Sequence, residues 1–162
     1  MLAWQLYRNL ENSLKDFLDA KIVTDSVTDI NGIKVPVWVG RKEDDNWTLP
    51  CISLYMESET LIPFEIGSTL KDDRQLIIID IYATNEGERL DLSKWLTATI
   101  NDGWRYYSYS PNIITPESPT KVAGGLVNVD FLTNTRVNLG QNSDEIDAHR
   151  HRVTINVWIS GS

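Results

Sequence analysis

At 162 residues, with 41% hydrophobic and 23% charged residues, the chain is long enough for a single domain with a radius of gyration of roughly 15 Å and a real core. A formal charge of −8 and a pI near 4.7 weigh against attachment to DNA, RNA or anionic membrane, since each asks for clustered Lys and Arg. The lone Cys51 excludes an internal disulfide, the opening residues carry no signal-peptide pattern, and no apolar run approaches the ~20 residues of a membrane span.

Taken in order, Tyr7, Leu10, Leu14 and Phe17, widened by Leu6 and Leu18, predict a core-facing helix over Ala3–Ala20. Arg8, Glu11, Asn12, Lys15, Asp16 and Asp19 make its solvated back. Asn31-Gly32 then predicts a hairpin joining Ile22–Ile30 to Ile33–Val39, because both residues tolerate the positive φ of a type I′ turn. Pro36 lacks a ladder donor, so the second of these strands is expected at an edge or with one side unpaired. The following RKEDDNW is a charged loop, whose carboxylates show no metal-ligand spacing.

Pro50–Glu57 is a strand with Ile52, Leu54 and Met56 on one face, and Cys51 within it reads as a reduced core residue of a protein folded in a cytoplasm. Leu61–Leu70 is a short strand punctuated by Pro63 and Gly67, and KDDR (71–74) has the composition of a turn. From Leu76 to Tyr82 every residue but Asp80 is apolar, which predicts the middle strand of the sheet. Thr84 or Asn85 caps a second helix, which carries Leu92, Trp95, Leu96, Thr99 and Ile100 on one side and stops at Gly103.

Trp104, Tyr106, Tyr107 and Tyr109 around Arg105 have two readings. They can stack on nucleic-acid bases, or they seal one end of the core and join a protein interface. A single arginine in an acidic chain makes a poor phosphate track and favours the second. Pro111, Pro116 and Pro119 mark a surface loop. Val127, Val129 and Phe131, and then Val153, Ile155, Val157 and Ile159, alternate with polar residues and predict a long antiparallel hairpin turning at Gly140–Ser143. A strand from Ile146 to Ile159 spans about 46 Å, too long for the domain, so the turn end is expected to leave it as a polar arm.

One constellation has the chemistry of a metal site. Asp147, His149 and His151 are spaced by two, so a strand points all three to one face. Against this, neighbours on one strand face are ~7 Å apart, and Arg150 and Arg152 bring positive charge. The plainer reading is an exposed strand face with incidental histidines. There is no phosphate-binding glycine loop, G-x-S-x-G elbow, H-E-x-x-H or Cys-x-x-Cys, and no cofactor or catalytic residue is expected.

The order of these parts, with QLIIIDIYATNEGERLDLSKWLTATI (75–100) at the centre and GGLVNVDFLTNTRV and HRHRVTINVWI at the end, resembles the tail terminator (tail completion, head-to-tail joining) proteins of long-tailed bacteriophages. The Asn31-Gly32 hairpin and the prolines at 111–119 look like insertions relative to the smallest members. The resemblance implies an α/β fold of the α+β type in a single domain, 1–162. In it a mostly antiparallel mixed sheet carries an N-terminal helix, a second helix packed on it and a long C-terminal β-hairpin. It implies a non-enzymatic virion protein that forms a homohexameric ring at the head-proximal end of the tail. Its partners are the major tail tube protein and a head-completion or neck protein; DNA passes through unbound, and no membrane is involved. The alternatives are another phage head-tail connector, neck or tube-like structural protein, and a metal-binding module or enzyme using Asp147, His149 and His151. Interface positions expected on the leading reading are Arg41, Trp47, Trp104, Tyr106 and Tyr107, with Asn138, Gln141 and Asp144 on the arm.

Overall fold

The run of isoleucines at 77–79 lies at the interior of a sheet, as two apolar faces require. A computed structural model describes residues 6–40, 47–63, 71–109, 121–137 and 149–160. Among these residues are helices α1 (Leu6–Thr24) and α2 (Glu86–Ile100) and strands β1 (Val37–Val39), β2 (Cys51–Pro63), β3 (Lys71–Tyr82), β4 (Trp104–Tyr109), β5 (Lys121–Arg136) and β6 (Arg150–Ser160). The fold is α+β, with one sheet in the order β1-β2-β3-β6-β5-β4. Every neighbouring pair is antiparallel except β1 with β2. The long C-terminal hairpin is β5 with β6, paired from Leu126↔Ser160 to Arg136↔His151.

Both helices cover the same face. Leu10, Leu14, Leu18 and Ile22 of α1 and Leu92, Leu96 and Ile100 of α2 meet Ile77, Ile79 and Ile81 of β3 and Val153, Ile155 and Val157 of β6 in one core. α1 runs past the expected Ala20, because Ile22 continues the stripe four residues after Leu18 and is buried with it. The predicted Ile22–Ile30 strand is therefore absent: the Asn31-Gly32 turn, with Gly32 at φ 78°, closes only a single bridge, Thr28↔Lys34. Pro36 does precede an edge strand, β1, which lies parallel to β2.

Lys71–Arg74 is strand, where a turn was expected, and Leu61 belongs to β2 itself. Pairing of Leu61 with Asp73 and Ile62 with Asp72 carries one ladder through both segments, so a cross-strand partner outweighs local composition here. Trp104–Tyr109 is also a strand, β4, that was read only as an aromatic patch. Gly103, at φ 76°, bonds its N–H to Ile100 O at 3.0 Å and ends α2. A Cβ there would lie 2.1 Å from Val127 O, so only glycine lets β4 start against β5.

α1 touches β4 at one end of the strand order and β1 and β2 at the other, so the sheet curls around it. Its side chains take up backbone groups of β4 and of β2. On β4, Ser13 Oγ accepts from Tyr107 N–H at 2.9 Å and donates to Tyr107 O at 3.2 Å, while Asn9 Oδ1 accepts from Tyr109 N–H at 3.3 Å. On β2, just past the three residues that pair with β1, Glu11 Oε1 accepts from Met56 N–H at 2.9 Å. The back of α1 is thus not the solvated face expected: Glu11 and Asp16 are engaged, the latter by Tyr109 O–H at 2.6 Å. Burial raises the Glu11 carboxyl above its usual range against the pull of Met56 N–H, and burial followed by the Asp16 contact raises the Tyr109 phenol. Ser13→Ala is expected to cost about 2 kcal/mol in urea unfolding, because two backbone groups of Tyr107 lose their partner. A cost near zero would mean that water replaces the hydroxyl.

At one end the sheet divides. β3 pairs with β6 only from Gln75↔Val157 to Tyr82↔Arg150. Beyond Gln75, the four pairs Thr60↔Arg74, Leu61↔Asp73, Ile62↔Asp72 and Pro63↔Lys71 continue the β2–β3 ladder past the last β3–β6 pair among the described residues. They form a two-stranded ribbon ~13 Å long, set off by a bulge between Met56 and Ser58. Arg74 marks its root, paired with Asp130 of β5 and 5.9 Å from the Trp158 ring centroid.

Candidate functional site

Three polar assemblies and the ribbon are the features a function can use. The first sits where β6 begins, against the start of α2. Asn85 caps this helix, accepting from Glu88 N–H at 2.9 Å, while Glu88 Oε1 accepts from Thr84 N–H at 2.8 Å, a reciprocal cap that occupies the free donors. In the first turn, Glu86 accepts from Arg89 Nε at 3.1 Å and Nη2 at 2.5 Å, and Arg89 Nη1 lies 2.5 Å from His151 Nδ1. A guanidinium has no acceptor, so His151 receives this bond on Nδ1 and carries its proton on Nε2. His149 Nδ1 stands 3.6 Å and Arg136 Nη2 3.9 Å from Glu86 Oε2.

Arg89 holds the Glu86 carboxyl down at about 2. Burial, then the charge of Arg89, lowers His151 from its ordinary 6.5. Both shifts oppose stability in acid. Unfolded chains protonate the histidine as pH falls below 6.5 while the folded ring does not, so stability declines from there; the Glu86 contribution is present above 4.5 and is lost as pH falls toward 2. The melting temperature is expected to drop between pH 7 and 5, with a flatter profile for His151→Gln, whose amide oxygen still accepts from Arg89. An unchanged slope in that variant would clear His151 of responsibility.

The second assembly lies on the opposite face of the sheet. Asp80, 1% exposed, accepts from Arg150 Nη2 at 2.6 Å and from Arg152 at 2.9 and 3.0 Å, a two-point grip by the latter. Arg152 Nη2 also reaches Tyr55 OH at 3.2 Å, and Arg150 lies 5.1 Å from the Tyr82 ring centroid. The third is a groove of about 620 Å³ between the 25–30 turn and α2, with Asp25, Asp29, Glu88 and Asp91 in its lining. Three of those carboxylates serve the fold: Asp25 accepts from Trp95 Nε1, Asp29 from the N–H groups of Asn31 and Ile33, and Glu88 from Thr84.

The metal reading of Asp147, His149 and His151 is not supported by this geometry. Asp147 lies outside the described residues, His151 Nδ1 already faces a cation, and no group of three or more His, Cys, Asp or Glu fit for a metal occurs among the described residues. Of the expected interface residues, Trp104 and Tyr106 are 3% exposed and belong to the core, Trp104 stacked on Phe17 and Tyr106 O–H accepting from Asn9 Nδ2. Their alternation along β4 turns them under α1, which corrects their assignment as contact anchors. Tyr107 is half-buried beneath Lys121 Nζ, and Trp47 is half-buried and stacked on Trp38, with centroids 5.6 Å apart. Arg41, Asn138, Gln141 and Asp144 fall outside the described residues.

Sequence reasoning missed Arg89, whose signal was a glutamate three residues before it on a helix, and gave no role to Asp80, the single charge in an apolar strand. No helix among the described residues is long and apolar enough to cross a membrane. Comparison with protein-family models and with curated proteins returns no match.

Proposed function

We propose that the chain is a structural subunit of a long-tailed phage virion. It closes into a hexameric ring at the head-proximal end of the tail tube, ends tube polymerisation and offers a docking surface to the capsid neck. The observation that carries this reading is a division of labour within the sheet. α1 bonds backbone groups of β4 and of β2 at Met56, whereas Leu61–Pro63 of β2 and Lys71–Asp73 of β3 pair with each other and with no other strand among the described residues. A subunit that joins copies of itself needs a rigid body and contact elements that it does not itself cover. An isolated two-stranded ribbon is marginal in water, and contact with another subunit stabilises it.

The order of elements supports the same reading, and a charge of −8 suits a channel that passes DNA without holding it. On this reading the protein is not an enzyme; it assembles in the host cytoplasm and resides in the virion, with the tube protein and a neck protein as neighbours. A neck or stopper component is the second reading, supported by the same ribbon and separated from the first by where the protein sits on the virion.

The test is light scattering with negative-stain imaging of the purified protein, with and without tube protein. Six-membered rings and capped tubes are expected. A persistent monomer that leaves tubes growing overturns the reading. Deleting 138–145, outside the described residues, is expected to leave the melting temperature in place and abolish rings.

A further inference from the structure

Two surfaces on opposite sides of the sheet carry complementary chemistry. The first is the groove between the 25–30 turn and α2. Val27 and Trp95 give it apolar lining, Ile30 stands beside them 96% exposed, and its four carboxylates are joined by no Lys, Arg or His. The Asp91 carboxylate, exposed on α2, makes no hydrogen bond or ion pair among the described residues.

The second surface is on β4 and β5. Trp104 and Tyr106 turn into the core, so Arg105 between them points to the other face, away from both helices. Directly across from it on β5 is Leu126, 50% exposed, and diagonal to Leu126 is Trp158 of β6, half-buried. Arg105 donates to Gly124 O at 3.2 Å, and its charge meets no carboxylate among the described residues. Arginine and tryptophan are the side chains that most often anchor a contact between proteins.

We infer that these surfaces are the two halves of one contact between copies of this chain. Arg105 of one subunit enters the groove of the next and meets Asp91, while Ile30 of that groove comes down on Leu126 and Trp158. The inference rests on the ring proposed above and names a contact within it. The occupant follows from charge and placement. An acidic groove selects a cation and repels most of a chain whose net charge is −8. The Arg105 face supplies a cation with no counter-ion, next to apolar side chains that can cover Ile30. One chain cannot make this contact with itself, because the groove lies on the helix side of the sheet and Arg105 on the other. Each copy therefore gives one half to each neighbour, the heterologous arrangement that a ring requires.

Charge reversal in the full chain tests this, with Asp91→Arg and Arg105→Glu made singly at two exposed positions. Each variant alone is expected to keep the parent's melting temperature and to fall from ring mass to subunit mass in light scattering, because every contact then sets like charges together. Mixed in equal amounts, the two are expected to regain the ring mass. Alternation around an even-numbered ring sets the reversed surfaces against each other and the parental surfaces against each other. Should a reversed chain fail to fold, Ile30→Ser decides, since it changes no charge at a position 96% exposed: rings are expected to be lost with the melting temperature unchanged. Rings that persist in the variants overturn the inference and leave the ring reading standing. Loss that mixing does not restore also overturns it, because the two residues then do not face each other. Variants that keep their rings but no longer cap tubes overturn it in favour of the tube protein as the groove's occupant. A parent that stays monomeric, with and without tube protein, overturns both.

Discussion

Ile79→Asp is expected to leave no folded protein. Ile79 is fully buried, pairs with Leu54 on one side and Val153 on the other, and faces both helices. A carboxylate there finds no partner in an apolar cluster, and burying one without a hydrogen bond costs several kcal/mol, about the whole stability of a domain this size. The measurement is the circular dichroism and proteolysis pattern of the expressed chain, with Ile79→Val as the control at about 1 kcal/mol. A cooperative melt near that of the parent would show that the centre of the sheet admits water.

Asp80→Ala is the second large effect, and its cause is different. The carboxylate is the common partner of Arg150 and Arg152, so its removal leaves two guanidinium groups of like charge side by side. Breaking a buried pair at one member costs about 3–5 kcal/mol. The two arginines are 18% and 34% exposed, which lets water take part of that charge and directs the expectation to the lower end. Adding Arg152→Met is expected to recover part of the loss in urea unfolding, because the excess cation goes with it. No recovery would assign the effect to Tyr55 and packing instead.

Where one residue type determined the outcome, the sequence was legible. The apolar run at 76–82 meant burial on both faces, and Asn85 and Gly103 bounded α2 to within three residues. The alternation at 153–159 set the inward face of β6. What was not legible depended on a distant partner. Lys71–Arg74 has the composition of a turn and becomes strand because β2 lies beside it. Glu11 and Asp16 look like surface residues on a helical wheel and become edge ligands because the sheet curls around α1. At the candidate sites the same rule applies. The histidine spacing was visible, but Arg89, which decides their chemistry, is 62 residues from His151 and carries no mark of that contact.

The helix that bonds both β4 and β2 has a consequence for the order of events during synthesis. α1 precedes every strand in the chain, yet Asn9 and Ser13 find their partners on β4, at separations of 94 to 100 residues. At a translation rate of about 5–20 residues per second, the helix waits on the order of 5–20 s after its own emergence for β4 to appear. Over that interval Asn9 and Ser13 lack their β4 partners, and contacts at such separation are slow to form once available. A chain lacking α1 therefore does more than lose part of its core: the backbone groups of β4 and β2 that the helix bonds are left open to other strands, and its failure is expected to be fibrous or particulate aggregation rather than a soluble unfolded state.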